Sequence, residues 1–136
     1  MRTRQTTATA AVLLSLCLLL LSCGSYDLGP LITYEVTGAT IRETGVEYHN
    51  EYGDKERFSS VRLPWVKSFY VQFRGDQYPG GAFTGDVFPA YVSAWIADRT
   101  GYITVSIYVD GKLAQTTSIA DTYEHARLYC GVRLGF

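Results

Sequence analysis

The stretch that most constrains the fold of this chain is Gly101–Ile119, GYITVSIYVDGKLAQTTSI. Apolar residues occupy every second position from Ile103 to Val109, with polar or tyrosine residues between them, and Asp110-Gly111 follows. Asp-Gly between two alternating runs is typical of a β-hairpin with a type I′ turn, because both central residues need φ > 0. Since a hairpin with one apolar face must pack against a second layer, the rest of the chain is expected to supply strands.

Turn residues divide the rest of the chain into short segments with strand-like alternation. The predicted strands are Leu31–Thr37, Thr40–Asn50, Lys55–Arg62, Val66–Phe73, Ala90–Ala97, the two arms of the hairpin and His125–Leu134. Gly38 is expected to end the first strand, Gly45 to form a bulge, and Pro64 to stop or kink the chain. Seven or eight short strands without a helical period predict an all-β fold, an antiparallel β-sandwich of the immunoglobulin-like kind.

The N-terminus has the features of a secretory signal. Two arginines precede an uncharged run from Ala8 to Leu21, and small residues surround Cys23; the run is too short for a membrane-spanning helix. The sequence LLSCG resembles the lipobox of bacterial lipoproteins. That resemblance implies that residues 1–22 are a signal peptide and that Cys23 is lipidated, with palmitate-type acyl chains as the membrane anchor. An ordinary cleaved signal, with Cys23 left as a thiol, is the alternative.

Cleavage at that position would leave 114 residues, which is enough for one small sandwich. Residues 23–30 are predicted to be a tether and residues 31–136 the β-sandwich domain. Because residues 1–22 contain two of the 12 Lys and Arg residues and none of the 13 acidic ones, the mature chain has a formal charge of −3. A mildly acidic chain without a basic run does not favour nucleic acid as a partner.

Residues that could carry catalysis or hold a metal do not fall into a recognisable pattern. The four glutamates between residues 35 and 51, Glu47 among them, are expected to be solvated. His49 and His125 are far apart and belong to no metal or nucleophile motif. Cys130 alternates in phase with apolar neighbours and is expected to fill the core. The sequence therefore predicts no catalytic residue, no metal and no cofactor.

The stretch Arg74–Pro89, RGDQYPGGAFTGDVFP, contains four glycines and is expected to be irregular. Its large aromatic residues Tyr78, Phe83 and Phe88 are candidate binding residues, because exposed aromatics on a scaffolded loop often contact a ligand. The alternative is that these side chains fold back and cap one end of the sandwich. The sequence does not decide between the two interpretations.

Three short motifs resemble successive landmarks of the MmpS-type domain, found in mycobacterial small membrane proteins that accompany large lipid transporters. They are YEVTG at residues 34–38, VRLPW at residues 61–65 and VSIYVDGK at residues 105–112. The resemblance spans about Leu31 to Val132 and implies a β-sandwich. Members of the family carry a cysteine pair between the hairpin and the last strand. Cys130 corresponds to its second position and Val105 occupies the first, so that bridge is absent here.

Together these features lead us to expect a non-enzymatic envelope lipoprotein with a binding or accessory module. The expected partners are the membrane, through lipid on Cys23, and a membrane transporter or another envelope protein. The domain would lie in the periplasm or on the cell surface. The alternative function is a small-ligand domain that binds glycan or lipid through the aromatic loop 74–89.

Overall fold

A computed structural model of the chain describes residues 28–40, 44–72, 87–96, 101–120 and 126–135. These residues form strands and connecting turns without a helix. The strands are β1 Leu28–Thr40, β2 Thr44–His49, β3 Lys55–Val61, β4 Trp65–Gln72, β5 Val87–Trp95, β6 Gly101–Val109, β7 Lys112–Ala120 and β8 Arg127–Gly135.

The strands form two antiparallel sheets of four. The first sheet has the order β4-β1-β6-β7 and the second the order β3-β2-β5-β8. Since residues of both sheets point into a shared core, the architecture is that of a β-sandwich, which confirms the predicted all-β fold. The polar strand β3 lies at the edge of its sheet, and the bond Leu63-Pro64 before β4 is cis.

The Asp-Gly hairpin forms as the sequence predicts. Asp110 and Gly111 have φ of 49° and 76°, and Val109 pairs with Lys112 across the turn. Both angles lie in the region that a type I′ turn requires. Ile103, Val105 and Ile107 from its first arm are fully buried, so the alternating face is the core face.

The core lies between the sheets and receives residues from six strands. Its buried members are Ile32, Tyr34, Val36, Val46, Tyr48, Val71, Phe88, Ala90, Val92, Ala94, Ile96, Ile103, Val105, Ile107, Leu128 and Cys130. The buried Tyr34 hydroxyl accepts a hydrogen bond from the Tyr91 backbone N–H at 3.2 Å. Cys130 is a free thiol in this core, as its alternation indicated.

The boundaries of β1 and β5 differ from the prediction, at both ends of β1 and at the start of β5. β1 begins at Leu28 and continues through Gly38, which has φ of 152° and pairs with Ile103. A Cβ at Gly38 would collide with the Tyr102 carbonyl oxygen. Glycine therefore permits a close approach of two strands here and does not end the strand.

The second difference concerns the end of the glycine-rich stretch. β5 begins at Val87 because Val87 and Phe88 pair with Gly135 and Leu134 of β8. Asp86 and Pro89, on either side of this pair, are residue types that are common in turns. Pairing with β8, and not these two residues, thus decides where the strand begins. The β2–β3 register shift does fall between Thr44 and Val46, where the bulge at Gly45 was expected.

Candidate functional site

Of the predicted site residues, Cys23, Tyr78 and Phe83 lie outside the described residues. Phe88 lies in β5 and its side chain is fully buried. Its ring meets that of Phe69 nearly edge to face, with 6.4 Å between the centroids. The side chain of Phe88 therefore offers no surface to a ligand in this structure, because it belongs to a strand and to the core.

The described residues show where the aromatic loop joins the sandwich. Its neighbours are Gln72 at the end of β4 and Val87 at the start of β5. Gln72 pairs with Leu28, and its backbone N–H donates to the Glu51 carbonyl at 2.9 Å. The beginning of β1 and the attachment points of the loop thus share one end of the sandwich, called the Leu28 end below.

The outer face of the second sheet carries a group of charged and aromatic side chains that the sequence analysis did not single out. We call it the basic face; its charged members are Lys55, Arg57, Glu47, Arg127 and Arg133, and its aromatic members are His49, Tyr91, Trp95 and Tyr129. Among the described strand residues of this face, Glu47 is the only acidic one. Four cations against one carboxylate give the face a net positive charge.

Trp95 organises one half of the basic face. Its indole lies across Gly45 of the neighbouring strand, so closely that a Cβ at Gly45 would fall among the ring atoms. The guanidinium carbon of Arg57 lies 4.5 Å from the ring centroid, and that of Arg127 lies 5.6 Å away. Both distances fit cation–π contacts, which hold the two guanidinium groups beside the indole.

Glu47 organises the other half of the basic face. Its Oε1 accepts a hydrogen bond from Arg127 Nη2 at 3.0 Å and lies 3.5 Å from Lys55 Nζ. Arg127 Nη2 also donates to Ser93 Oγ at 3.0 Å. Glu47 is only 8% exposed, so its predicted placement as a solvated glutamate was wrong. Its charge is compensated by two cations from other strands.

The sequence contained part of the signal for this face. Alternation along β2 places Gly45 and Glu47 on one side, and alternation along β5 does the same for Ser93 and Trp95. Which strands lie side by side is decided by non-local pairing, with Gly45 opposite Trp95 and Trp95 opposite Arg127. A pattern read along one chain does not supply that order.

The side of the sandwich between the edge strands β3 and β4 is filled by aromatic rings. Tyr48 lies 5.4 Å from Trp65 and 6.1 Å from Phe58, measured between ring centroids. Glu56 accepts hydrogen bonds from the Tyr48 hydroxyl and, at 2.9 Å, from Asn50 Nδ2. These two donors lower the pKa of the Glu56 carboxyl. Trp65 is partly buried against the core.

The outer face of the first sheet has a different chemistry. Hydroxyl side chains bond across its strands, in the pairs Thr33–Ser68 at 2.9 Å, Thr104–Ser118 at 2.8 Å and Ser106–Thr116 at 2.9 Å. Glu35 accepts from the Tyr108 hydroxyl at 3.0 Å. Apolar and tyrosine side chains stand between these pairs, with Val66, Tyr70 and Tyr102 each about half exposed. Among the described strand residues of this face, Glu35 is the only charged one. The face thus combines paired hydroxyl groups with exposed apolar and tyrosine side chains.

Within the described ranges, His, Cys, Asp and Glu side chains form no group of three that could hold a metal ion. Across the same residues there is also no helix with the length and apolar character needed to cross a membrane.

A scan against protein-family models and a search of curated proteins both found no match for this chain.

Proposed function

We propose that this chain is a non-enzymatic lipoprotein of the bacterial envelope, anchored through Cys23, whose β-sandwich is an accessory module for a membrane transporter or another envelope protein. The support comes from the lipobox-like sequence and from the placement of the MmpS-like motifs in the fold.

The observation that carries the proposal is that the three motifs lie side by side. Val36 of the first motif pairs with Trp65 of the second on one side and with Val105 of the third on the other. Residues of motifs about 25 to 40 residues apart in sequence thus meet in the first sheet, where the second motif contributes Trp65, while its Val61 belongs to β3 of the second sheet. Cys130 Sγ also lies 3.2 Å from the Val105 carbonyl oxygen, so the two positions of the family's cysteine pair are neighbours across the core.

The outer face of the first sheet is the surface we assign to the protein partner. Exposed apolar side chains among satisfied hydroxyl pairs are suited to protein contact, because little charge must be desolvated when the surface is covered. Tyr70 and Tyr102 are 49% and 54% exposed, and tyrosines are enriched at the cores of interfaces.

In-cell photo-crosslinking tests this assignment. A photoreactive residue is placed at Tyr70 or Tyr102 on the first sheet, or at Tyr129 on the second sheet as the matched exposed control. We expect one discrete adduct with a polytopic membrane protein from both first-sheet positions and none from Tyr129. Equal adducts from the two sheets, or none from the first, would contradict the proposed partner surface.

In the same cells, a block of lipoprotein signal peptidase should leave the precursor uncut if Cys23 is the anchor.

The alternative function, glycan or lipid binding by the loop 74–89, is supported by where the loop attaches. Binding loops of sandwich domains commonly cluster at one end of the scaffold, and this loop leaves from the Leu28 end. With Phe88 in the core, the candidate contacts are Tyr78 and Phe83. Ligand-induced thermal shifts that disappear in the Tyr78→Ala and Phe83→Ala variants, without a partner adduct, would favour this function.

A further inference from the structure

We infer that the basic face docks on an anionic membrane surface, so that the second sheet lies against lipid headgroups and the first sheet points away from the bilayer. The inference deepens the proposed function and rests on it for the lipid anchor. It gives the two faces of the sandwich separate partners.

The charge distribution is the first argument. The basic face has four cations and one carboxylate, that of Glu47. On the outer face of the first sheet, the described strand residues include a single charged side chain, Glu35. The mature chain as a whole would be formally −3. Positive charge is therefore concentrated on one face of an acidic protein, and such a face is attracted to anionic headgroups.

The aromatic residues of the basic face are the second argument. Trp95 lies between two guanidinium groups, and Tyr91 and Tyr129 follow on the neighbouring rows of the same face. Tyr129 is 67% exposed, although exposing a large ring has a free-energy cost in water. Tryptophan and tyrosine prefer the headgroup region of a bilayer, where the ring meets apolar groups and its polar atom stays hydrated.

The position of the anchor is the third argument. Leu28 is five residues after Cys23, a stretch that spans at most about 17 Å. The two sheets of a sandwich are about 10 Å apart, so this tether is long enough for the acyl chains to reach the plane of the second sheet. Lys55 follows the turn that contacts Gln72, and Arg133 is opposite Pro89 near the start of β5. Both cations thus lie toward the Leu28 end, where the tether from Cys23 joins the sandwich.

The test uses the processed protein isolated from producing cells and reconstituted with two kinds of vesicle. One is phosphatidylcholine alone; the other contains about 30% phosphatidylglycerol, which supplies the anionic surface. A water-soluble amine reagent modifies the exposed lysines, and mass spectrometry compares Lys55 on the basic face with Lys112 at the hairpin tip. We expect modification of Lys55, relative to Lys112, to slow by roughly 5-fold or more on the anionic vesicles. Protection should vanish in about 0.5 M NaCl, because salt screens the attraction.

Two double variants with the same change in net charge locate the effect. Arg57→Gln with Arg133→Gln removes two cations from the basic face and leaves the Arg127–Glu47 pair in place. Arg62→Gln with Lys112→Gln removes two exposed cations from elsewhere; Lys55 modification in this pair is scored against Lys67. At about 5-fold per cation, the first variant should lose roughly 25-fold in affinity for anionic vesicles, and the second less than about 2-fold.

Each other outcome has a defined meaning. Equal modification of Lys55 on neutral and anionic vesicles, or equal losses in both double variants, would overturn the inference. Protection of Lys55 by a soluble anionic glycan such as heparin, but not by anionic vesicles, would overturn it in favour of a glycan partner. Failure of the protein to float with neutral vesicles would contradict the lipid anchor but not the docking of the basic face. Docking would still be tested by the protection of Lys55 on anionic vesicles.

Discussion

At the scale of single residues, Gly45 shows how one missing side chain shapes a surface. Trp95 crosses from β5 over β2, and its ring occupies the space that a Cβ at Gly45 would need. Only glycine lets the indole lie flat there and meet Arg57 from the adjoining strand. Gly131, also on an outer face, has no such constraint, since a Cβ there would make ordinary contacts at 3.8 Å and beyond.

We therefore predict different effects of alanine at the two glycines. Gly45→Ala should displace Trp95 and lower the free energy of unfolding by about 1–3 kcal/mol, as overpacking does. Gly131→Ala should change it by less than about 0.5 kcal/mol. Urea unfolding followed by circular dichroism measures both values. Equal stability of the two variants would contradict the described packing of Trp95 on Gly45.

Residues also show where sequence interpretation is limited. Cys130 was placed in the core correctly, because alternation within one strand is enough to assign its face. Glu47 was placed wrongly, since its burial depends on Arg127, 80 residues away, and on Lys55 of the paired strand. The two interpretations of Phe88 could not be separated from sequence, because its burial depends on contact with Phe69 across the sandwich.

At the scale of elements, the Asp-Gly turn does more than reverse the chain. Asp110 Oδ1 accepts from the Leu31 backbone N–H at 2.9 Å, and the Asp110 N–H donates to the Leu31 carbonyl at 2.8 Å. These two hydrogen bonds therefore connect the turn to β1 at the Leu28 end. Asp110 itself has φ of 49°, a conformation that aspartate and asparagine tolerate better than other side chains.

This double role predicts a strong dependence on the residue at position 110. Asp110→Ala keeps the unfavourable positive φ and removes the acceptor for Leu31, so we expect a loss of about 2 kcal/mol in the free energy of unfolding. Asp110→Asn retains an acceptor oxygen and tolerance of positive φ, and should cost less than about 1 kcal/mol. Denaturant titration of the two variants compares them; a similar loss in both would show that the ionised carboxylate, rather than the acceptor geometry, is needed.

The elements that the sequence predicted best are those with local determinants. The hairpin has its turn signal and both arms within 19 residues, and its apolar face was assigned residue by residue. The start of β5 and the continuation of β1 through Gly38 are set by partners elsewhere in the chain. Local glycine and proline signals therefore marked breaks that pairing overrode.

At the scale of the whole molecule, the sandwich separates two chemistries by the thickness of its core. One outer face is nearly uncharged and carries exposed tyrosine and valine; the other concentrates cations around an indole. Each sheet shares its inner face with the same core, so substitutions on one outer face should leave the other intact. This independence is what allows the partner surface and the membrane surface to be tested separately.

The same core buries ionisable groups in their neutral form. Desolvation raises the pKa of Tyr34, Tyr48 and Cys130 above their ordinary values. The ring of Tyr48 is buried, but its hydroxyl reaches Glu56 near the rim, where solvent reduces the effect of burial. Tyr34 lies deeper, with its hydroxyl bonded to the Tyr91 backbone. We therefore expect Tyr34 to make the largest contribution to the pH dependence of stability in the alkaline range.

The sign of that dependence follows from proton release on unfolding. Below the ordinary pKa of these groups, about 9 for the thiol and about 10 for tyrosine, folded and unfolded chains both keep the protons. Above it, only the unfolded chain loses them, so stability is complete at lower pH and decreases as pH rises. The expected slope is about 1.4 kcal/mol per pH unit for a group that stays fully protonated in the folded state.

Urea titrations between about pH 8 and pH 11 measure this slope, with Tyr34→Phe and Tyr129→Phe as a matched pair. Tyr34→Phe leaves the Tyr91 N–H without its acceptor and should lower stability by about 1 kcal/mol near neutral pH. Since phenylalanine has no proton to release, the same variant should lose less stability between pH 10 and pH 11 than the parent. Tyr129→Phe, on the exposed outer face, should follow the parent curve. A Tyr34→Phe curve parallel to that of the parent would show that Tyr34 does not remain protonated in the folded core.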